Sequence, residues 1–272
     1  MDSEAAEPIH AERWTIYIDI EGFSSQWEQG DDALCSLSDL MLGIHRIGTR
    51  CYPEEPDRLF AHQYGDGFAI VSSFHEQSLT RCVCIAVALM RHVAAGKCFA
   101  RAGIAEGQMA DITGCYPQEV LADREGNRTV DLGGGMKIRH EEGSTVRMRA
   151  GLMTINSVMG SGLIRANKVD KLAPRGPLLS IQTAKAHRIG DGFNITRDQR
   201  TEVSVIDWVH AASPTIQHIQ SSASLRAPDA STLEKSLLQY CGEQSVPDEW
   251  RTSVRDFLRI PGLCLQTEDG KT

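Results

Sequence analysis

The sequence predicts an α+β domain in which one sheet is covered by helices. Apolar residues alternate with polar ones over Thr15–Ile20, and further strand-like runs cover Leu59–Phe74 and Cys98–Ile112. Segments of helical period fall between them, giving the order strand, helix, strand, strand, helix, strand. With 272 residues, 41% of them apolar and 24% charged, the chain suffices for one large domain, or a domain with a small appendage.

Residues 1–12 are acidic and polar, which fits a flexible start without signal-peptide character. In Thr15-Ile-Tyr-Ile-Asp-Ile-Glu21, the residues Tyr17, Asp19 and Glu21 share one strand face, and Ile16, Ile18 and Ile20 share the other. A polar stretch, Gln26–Asp32, leads to a helix with Leu34, Leu37, Leu40, Met41, Ile44 and Ile47 on one side, ending near Gly48. Pro53 and Pro56 mark a loop, and Asp66-Gly67 reads as the tight turn of a Leu59–Phe74 hairpin. A second helix spans Glu76–Ala95 with Gly96 as its C-terminal cap, and Cys98–Ile112 reads as a strand pair.

Residues 115–146 read as an inserted, protruding hairpin. Its Gly133-Gly134-Gly135 suits a flexible turn better than a phosphate cradle, since no Gly-Lys-Ser/Thr follows. Ser161–Ala173 is a helix with Leu163, Ala166, Val169 and Leu172 on one side, broken by Pro174 and Pro177. Leu178–Gln182 and Glu202–Val209 are short strands, Ala211–Pro228 reads as irregular, and Ser231–Ile260 carries one or two helices. The division expected is a flexible 1–12, a domain over 13–209, and a partly helical appendage over 210–272 that packs on the core or on a partner chain.

A formal net charge of −8 opposes general nucleic-acid binding, and no apolar run approaches a membrane span. The eight cysteines include no Cys-x-x-Cys pair, so free thiols in a reducing cytoplasm are expected. Two acidic residues on neighbouring strand ends, Asp19 and Asp66, can share hard divalent cations, which take oxygen ligands. Asp-Gly also makes a turn with no metal present, so that reading stands beside the first.

Ile18-Asp19-Ile20-Glu21-Gly22-Phe23-Ser24 resembles the Asp-Ile-x-Gly-Phe-Ser/Thr strand of class III nucleotidyl cyclases. Tyr64-Gly65-Asp66 resembles their second metal strand, and Arg101-Ala-Gly-Ile104 their Arg-x-Gly-Ile strand. The resemblance spans about residues 14 to 206 and implies a ferredoxin-like, palm-related sheet. It implies two divalent cations per site, Mn²⁺ or Mg²⁺, held by Asp19, the Ile20 carbonyl and Asp66, with Gly22, Phe23 and Ser24 facing a triphosphate. The base-reading positions fall on His62 and Ser157, which are not the adenine or guanine set. Tyr64 stands where the family has an aliphatic residue, and its ring narrows the base pocket toward a pyrimidine. On the third helix the ribose asparagine is replaced by Ile164 and the arginine by Lys168, with Arg165 as a neighbouring substitute or simply part of a solvated basic face.

These departures resemble the pyrimidine cyclases of the bacterial Pycsar antiphage system. That branch implies a cytoplasmic homodimer with shared sites, conversion of UTP to cyclic UMP, and a separate effector that senses the product. CTP as substrate, a non-catalytic nucleotide sensor and a palm-type polymerase remain as alternatives.

Overall fold

The computed structural model describes residues 12–29, 32–52, 59–111, 117–118, 128–133, 136–140, 145–148, 151–154, 158–244 and 246–263. The chain divides into two compact units, residues 1–108 with 161–272, and residues 109–160.

In the larger unit β1 (Arg13–Ile20) is followed by α1 (Phe23–Gln29), α2 (Asp32–Arg50), the hairpin β2 (Leu59–Tyr64) and β3 (Gly67–Ser72), α3 (Thr80–Ala94) and β4 (Ala100–Gly107). The smaller unit carries β5 (Ala110–Asp111), β6 (Arg128–Gly133), β7 (Met136–His140), β8 (Thr145–Met148), β9 (Gly151–Thr154) and β10 (Val158–Met159). The chain then returns through α4 (Ser161–Leu172), β11 (Leu179–Gln182), a 3₁₀ turn over Thr183–Arg188, β12 (Ile195–Arg197) and β13 (Val203–Ile206). Helices α5 (Pro214–Ser222), α6 (Ala230–Glu243) and α7 (Asp248–Phe257) complete it.

The expected α+β architecture is present: a seven-stranded sheet of order β12-β13-β11-β4-β1-β3-β2, with helices packed against it. Its ladders are antiparallel except for the parallel β11–β4 pair. The alternation in β1 holds, with Ile16, Ile18 and Ile20 buried in the main core. Residues directly opposite in a ladder share a sheet face. Asp19 lies opposite Gly67 and Arg101, and Tyr17 opposite Ala69 and Gly103, so these share the face away from the isoleucines.

Helix α4 lies against that second face at backbone distance. A Cβ on Gly103 would stand 2.3 Å from the Ala166 carbonyl oxygen, and one on Gly107 2.3 Å from the Gly162 nitrogen. Such an approach leaves room only for small inward residues. Ala166 and Val169 are buried as expected, but Leu172 is 43% exposed and Asp170 takes the buried position instead.

On the isoleucine side, α3 is apolar nearly all round. Cys84, Ile85, Ala88 and Leu89 are buried along with Cys82, Val83, Ala86, Val87, Met90 and Val93, because the helix lies between the sheet and further helices. Ile216, Ile219, Leu233, Leu237, Trp250 and Val254 of α5–α7 belong to the same core cluster. The C-terminal segment therefore packs on the core of this unit, the first of the two placements expected. Ala211–Pro228 is not irregular: Ser213 caps α5, accepting a hydrogen bond from the Thr215 N–H, with Pro214 in its first turn.

Other expectations shift. Helix α3 starts at Thr80, because Glu76 is engaged by Trp14, Ser72 and Arg81. Its cap is Ala95, and Lys97, not Gly96, takes the left-handed conformation at φ 68°. In place of the strand pair expected over Cys98–Ile112 there is one long strand, β4, followed by the two-residue β5, which pairs with β10 instead. Part of Gln26–Asp32 falls in α1. The inserted unit extends beyond 115–146 and contains the hairpins β6–β7 and β8–β9 and the pair β5–β10. Residues 1–11 and the loop at Pro53 and Pro56 lie outside the described residues.

The seating of α4 is testable by unfolding in urea. Gly103→Ala is expected to cost about 1–3 kcal/mol, because backbone has to move. Gly48→Ala in α2, where a Cβ meets nothing within 4 Å, is expected to be neutral or stabilising by up to about 1 kcal/mol. Equal stabilities for Gly103→Ala and the wild type would contradict this packing.

Candidate active site

The chain leaves β1 under constraint. The Glu21 N–H donates to the Phe99 carbonyl at 2.9 Å, and Gly22 turns the backbone at φ 73° into α1. Beside it, the β2–β3 turn is shifted by one residue from the expected Asp66-Gly67. Tyr64 pairs with Gly67, Gly65 takes φ 64°, and Asp66 sits at the tip. The shift follows from packing. A Cβ on Gly67 would stand 2.8 Å from the Tyr17 hydroxyl oxygen and 3.2 Å from Asp19 Cβ, so Gly67 serves the strand while Gly65 makes the turn.

A cleft of about 320 Å³ opens here. Asp19, Ile20, Gly22, Phe23, Ser24 and Asp66 line it, together with Glu21, Arg101 and Arg175. The residues assigned from sequence to metal and triphosphate thus converge on one cavity.

Its electrostatics are unbalanced around Asp19. Oδ1 of Asp19 is buried with no hydrogen-bond partner. Burial, together with the negative charges of Asp170, Asp66 and Glu21, raises its pKa to about 8 against the opposing pull of Arg101. Tyr17 is pushed up to about 12 by burial and by Asp19, Asp66 and Asp170, although a hydrogen bond from Asn167 opposes the shift. Arg101 is already committed to α4. Its Nε donates to Asp170 Oδ1 at 2.7 Å and its Nη2 to the Asp170 carbonyl at 2.6 Å, while Nη1 stands 3.7 Å from Glu21 Oε2.

An orphaned buried carboxylate oxygen among other carboxylates fits a divalent cation, which accepts hard oxygen ligands. Among the described residues, no group of three or more His, Cys, Asp or Glu side chains is placed to hold a metal. Asp19 and Asp66 therefore offer part of a coordination shell, to be completed by main chain, water or the oxygens of a bound anion.

The remaining candidates are placed differently. Tyr64 lies opposite Gly67 and His62 opposite Ala69, so both half-buried side chains share the sheet face of Tyr17 and Asp19. Burial raises the Tyr64 pKa and lowers that of His62. Ser157 lies outside the described residues. Arg165 donates to Glu12 Oε1 at 2.7 Å and to the Glu106 carbonyl at 2.9 Å. Glu106 pairs with Trp14, five residues before Asp19, so Arg165 works about 16 Å from the cleft. Lys168 is exposed on α4 and does not line the cleft of its own chain. Ile164, at the ribose position, is 62% exposed.

Sequence reasoning missed Glu21, Asp170 and Arg175. The alternation Tyr17, Asp19, Glu21 pointed to the first. Nothing local marked Asp170 or Arg175, whose roles arise from long-range packing.

No family model and no curated protein matches the chain. Solved structures with a similar trace include the guanylyl cyclase Cya2, at 11% identity and a TM-score of 0.41 over 75% of this chain and 95% of that one. Another is the dimeric guanylyl cyclase domain of the RhoGC fusion protein from the aquatic fungus Blastocladiella emersonii, at 13% identity and 0.45 over 72% and 97%. A third is the catalytic core of a rhodopsin-guanylyl cyclase with converted specificity in complex with ATPαS, at 11% and 0.38 over 72% and 94%. The activities named are those of the three proteins. Among the described residues, no helix is long and apolar enough to cross a membrane.

The strain on Asp19 has a pH signature. Its pKa of about 8 in the fold exceeds the ordinary value of 3.8. Its contribution to stability is therefore fully present below about pH 4 and is lost as pH rises toward 8. In metal-free buffer, Asp19→Asn is expected to be more stable than wild type at pH 8, by on the order of a few kcal/mol, with the gap narrowing toward pH 5. Urea unfolding at the two pH values with a chelator measures it. Equal stabilities at pH 8 would remove the charge isolation described here.

Proposed function

We propose that the protein is a nucleotide cyclase that converts UTP to 3′,5′-cyclic UMP and pyrophosphate. The observation that carries this reading is the convergence of Asp19, with its orphaned Oδ1, and Asp66 on one cleft lined by the Gly22–Ser24 backbone.

Cyclisation requires the ribose 3′-hydroxyl to attack the α-phosphorus while pyrophosphate leaves in line. Divalent cations, Mn²⁺ or Mg²⁺, supply charge neutralisation of the triphosphate and a lowered pKa of the attacking hydroxyl. Asp19, Asp66 and the Ile20 carbonyl would hold them. The positive φ of Gly22 turns the backbone so that N–H groups from Gly22 to Ser24 receive phosphate oxygens. The Arg101–Asp170 pair holds β4 and α4 in register beside Asp19 and keeps the cleft shaped before the nucleotide arrives.

Lys168 lies away from the cleft of its own chain, so its role in offsetting transition-state charge requires a partner's cleft. The reading is therefore a homodimer with shared sites. Lys168 serves better than Arg165 because Arg165 is held by Glu12 and Glu106. Base choice rests on His62, Tyr64 and Ser157. The first two share the sheet face of Asp19 on the edge strand β2, where the Tyr64 ring would occupy space that a purine's second ring needs. His62 donates or accepts according to tautomer, so CTP is the competing substrate. Resemblance to the Pycsar branch supports antiphage signalling from the cytoplasm through a separate effector.

Incubation with all four ribonucleoside triphosphates and Mn²⁺ or Mg²⁺, with products resolved by chromatography, tests this. Cyclic UMP is expected from wild type, with loss of about a hundredfold or more in Asp66→Ala. Tyr64→Ala is expected to lower the kcat/KM ratio of UTP over ATP about ten- to a hundredfold. Cyclic CMP as the main product would assign the alternative substrate. Template-dependent polymer would assign a polymerase, and nucleotide binding without product a sensor.

A further inference from the structure

We infer that Arg175 binds the distal phosphates of the nucleotide, exchanging Glu249 of α7 for them, so that the C-terminal helices take part in substrate binding. This rests on the nucleoside triphosphate reading of the cleft given above.

Arg101 and Arg175 are the two cationic side chains among the described residues that line the cleft. Arg101 is committed to Asp170 by two hydrogen bonds and approached by Glu21. Arg175 is held loosely: its Nε stands 3.5 Å from Glu249 Oε2, and the two side chains are 65% and 77% exposed. An exposed pair of this kind contributes little to stability and is readily exchanged. A phosphate offers the planar guanidinium fork a stronger, two-pronged acceptor.

The backbone beneath this side chain is fixed. The Pro177 carbonyl accepts the Trp208 indole N–H at 2.7 Å. Gly176, at φ 120°, lies where a Cβ would stand 3.3 Å from Val254 Cγ2 and 3.7 Å from the Trp250 ring. Trp250 stacks on Tyr240 at 5.8 Å between ring centres, and Tyr240 meets Phe99 edge-on at 5.1 Å. The Phe99 carbonyl receives the Glu21 N–H at the start of the phosphate-facing turn. An exposed guanidinium thus stands on a packed base that also contacts the strand end carrying Glu21.

The test is equilibrium binding to the full chain with Mn²⁺, using 3′-deoxyuridine triphosphate, 3′-deoxyuridine monophosphate and inorganic tripolyphosphate as probes. Arg175→Ala is expected to weaken the triphosphate and tripolyphosphate about tenfold or more, with the monophosphate changed less than about twofold. Arg175→Lys is expected to fall between, and Glu249→Gln to tighten the triphosphate a few-fold by releasing the arginine. Wild-type triphosphate affinity in folded Arg175→Ala would overturn the inference and leave the cyclase reading standing. Failure of the wild type to bind the triphosphate would overturn both. Should Arg175→Ala not fold, unchanged affinity in both Arg175→Lys and Glu249→Gln would overturn the inference.

Discussion

A carboxylate oxygen with no donor, buried at the end of β1, is the constraint on which the site depends. Burial and three neighbouring acidic groups oppose the charge on Asp19, and Arg101, the cation on the adjacent strand, is largely claimed by Asp170. A fold selected for stability alone would place a neutral or paired residue there. Gly67 makes room for Tyr17 and Asp19, Gly65 makes the turn that sets Asp66 at the cleft, and Gly22 redirects the chain beside them. A cation that joined the two aspartates would relieve this cost, so its binding would raise stability.

The C-terminal helices are bound to this centre by packing. Helix α3 is apolar on nearly every side and needs cover on the side away from the sheet, which α5–α7 provide. The same helices deliver Trp250 beside Gly176, next to Arg175 of the cleft, and Tyr240 beside Phe99, whose carbonyl accepts the Glu21 N–H. Core stability and cleft shape therefore share residues. Changes in α6 or α7 reach the cleft through contacts rather than over a distance.

Much of this was legible in the sequence where the signal was local. Period two placed Tyr17, Asp19 and Glu21 on one face, and the spacing of His62 and Tyr64 placed both on one face of the edge strand β2, two strands away. What failed was decided by packing between distant segments. The turn at Asp66 slipped by one residue because Gly67 is needed under Tyr17. Leu172 points outward because glycines on β4 bring α4 too close for a large inward residue. Arg165 looked available on its helix, yet Glu12, 153 positions away in sequence, holds it. The Ser213-Pro214 start of α5 was a readable cap inside a Ser/Ala/Pro-rich stretch, and composition hid it.

The central claim is that Asp19 is kept unpaired in order to bind a divalent cation together with a nucleoside triphosphate. Counting bound Mn²⁺ by electron paramagnetic resonance, with 3′-deoxyuridine triphosphate present so that no turnover occurs, addresses it most directly. Wild type is expected to hold about two Mn²⁺ per cleft, and Asp19→Asn to lose them while remaining folded. The same Mn²⁺ occupancy in wild type and Asp19→Asn would contradict the claim.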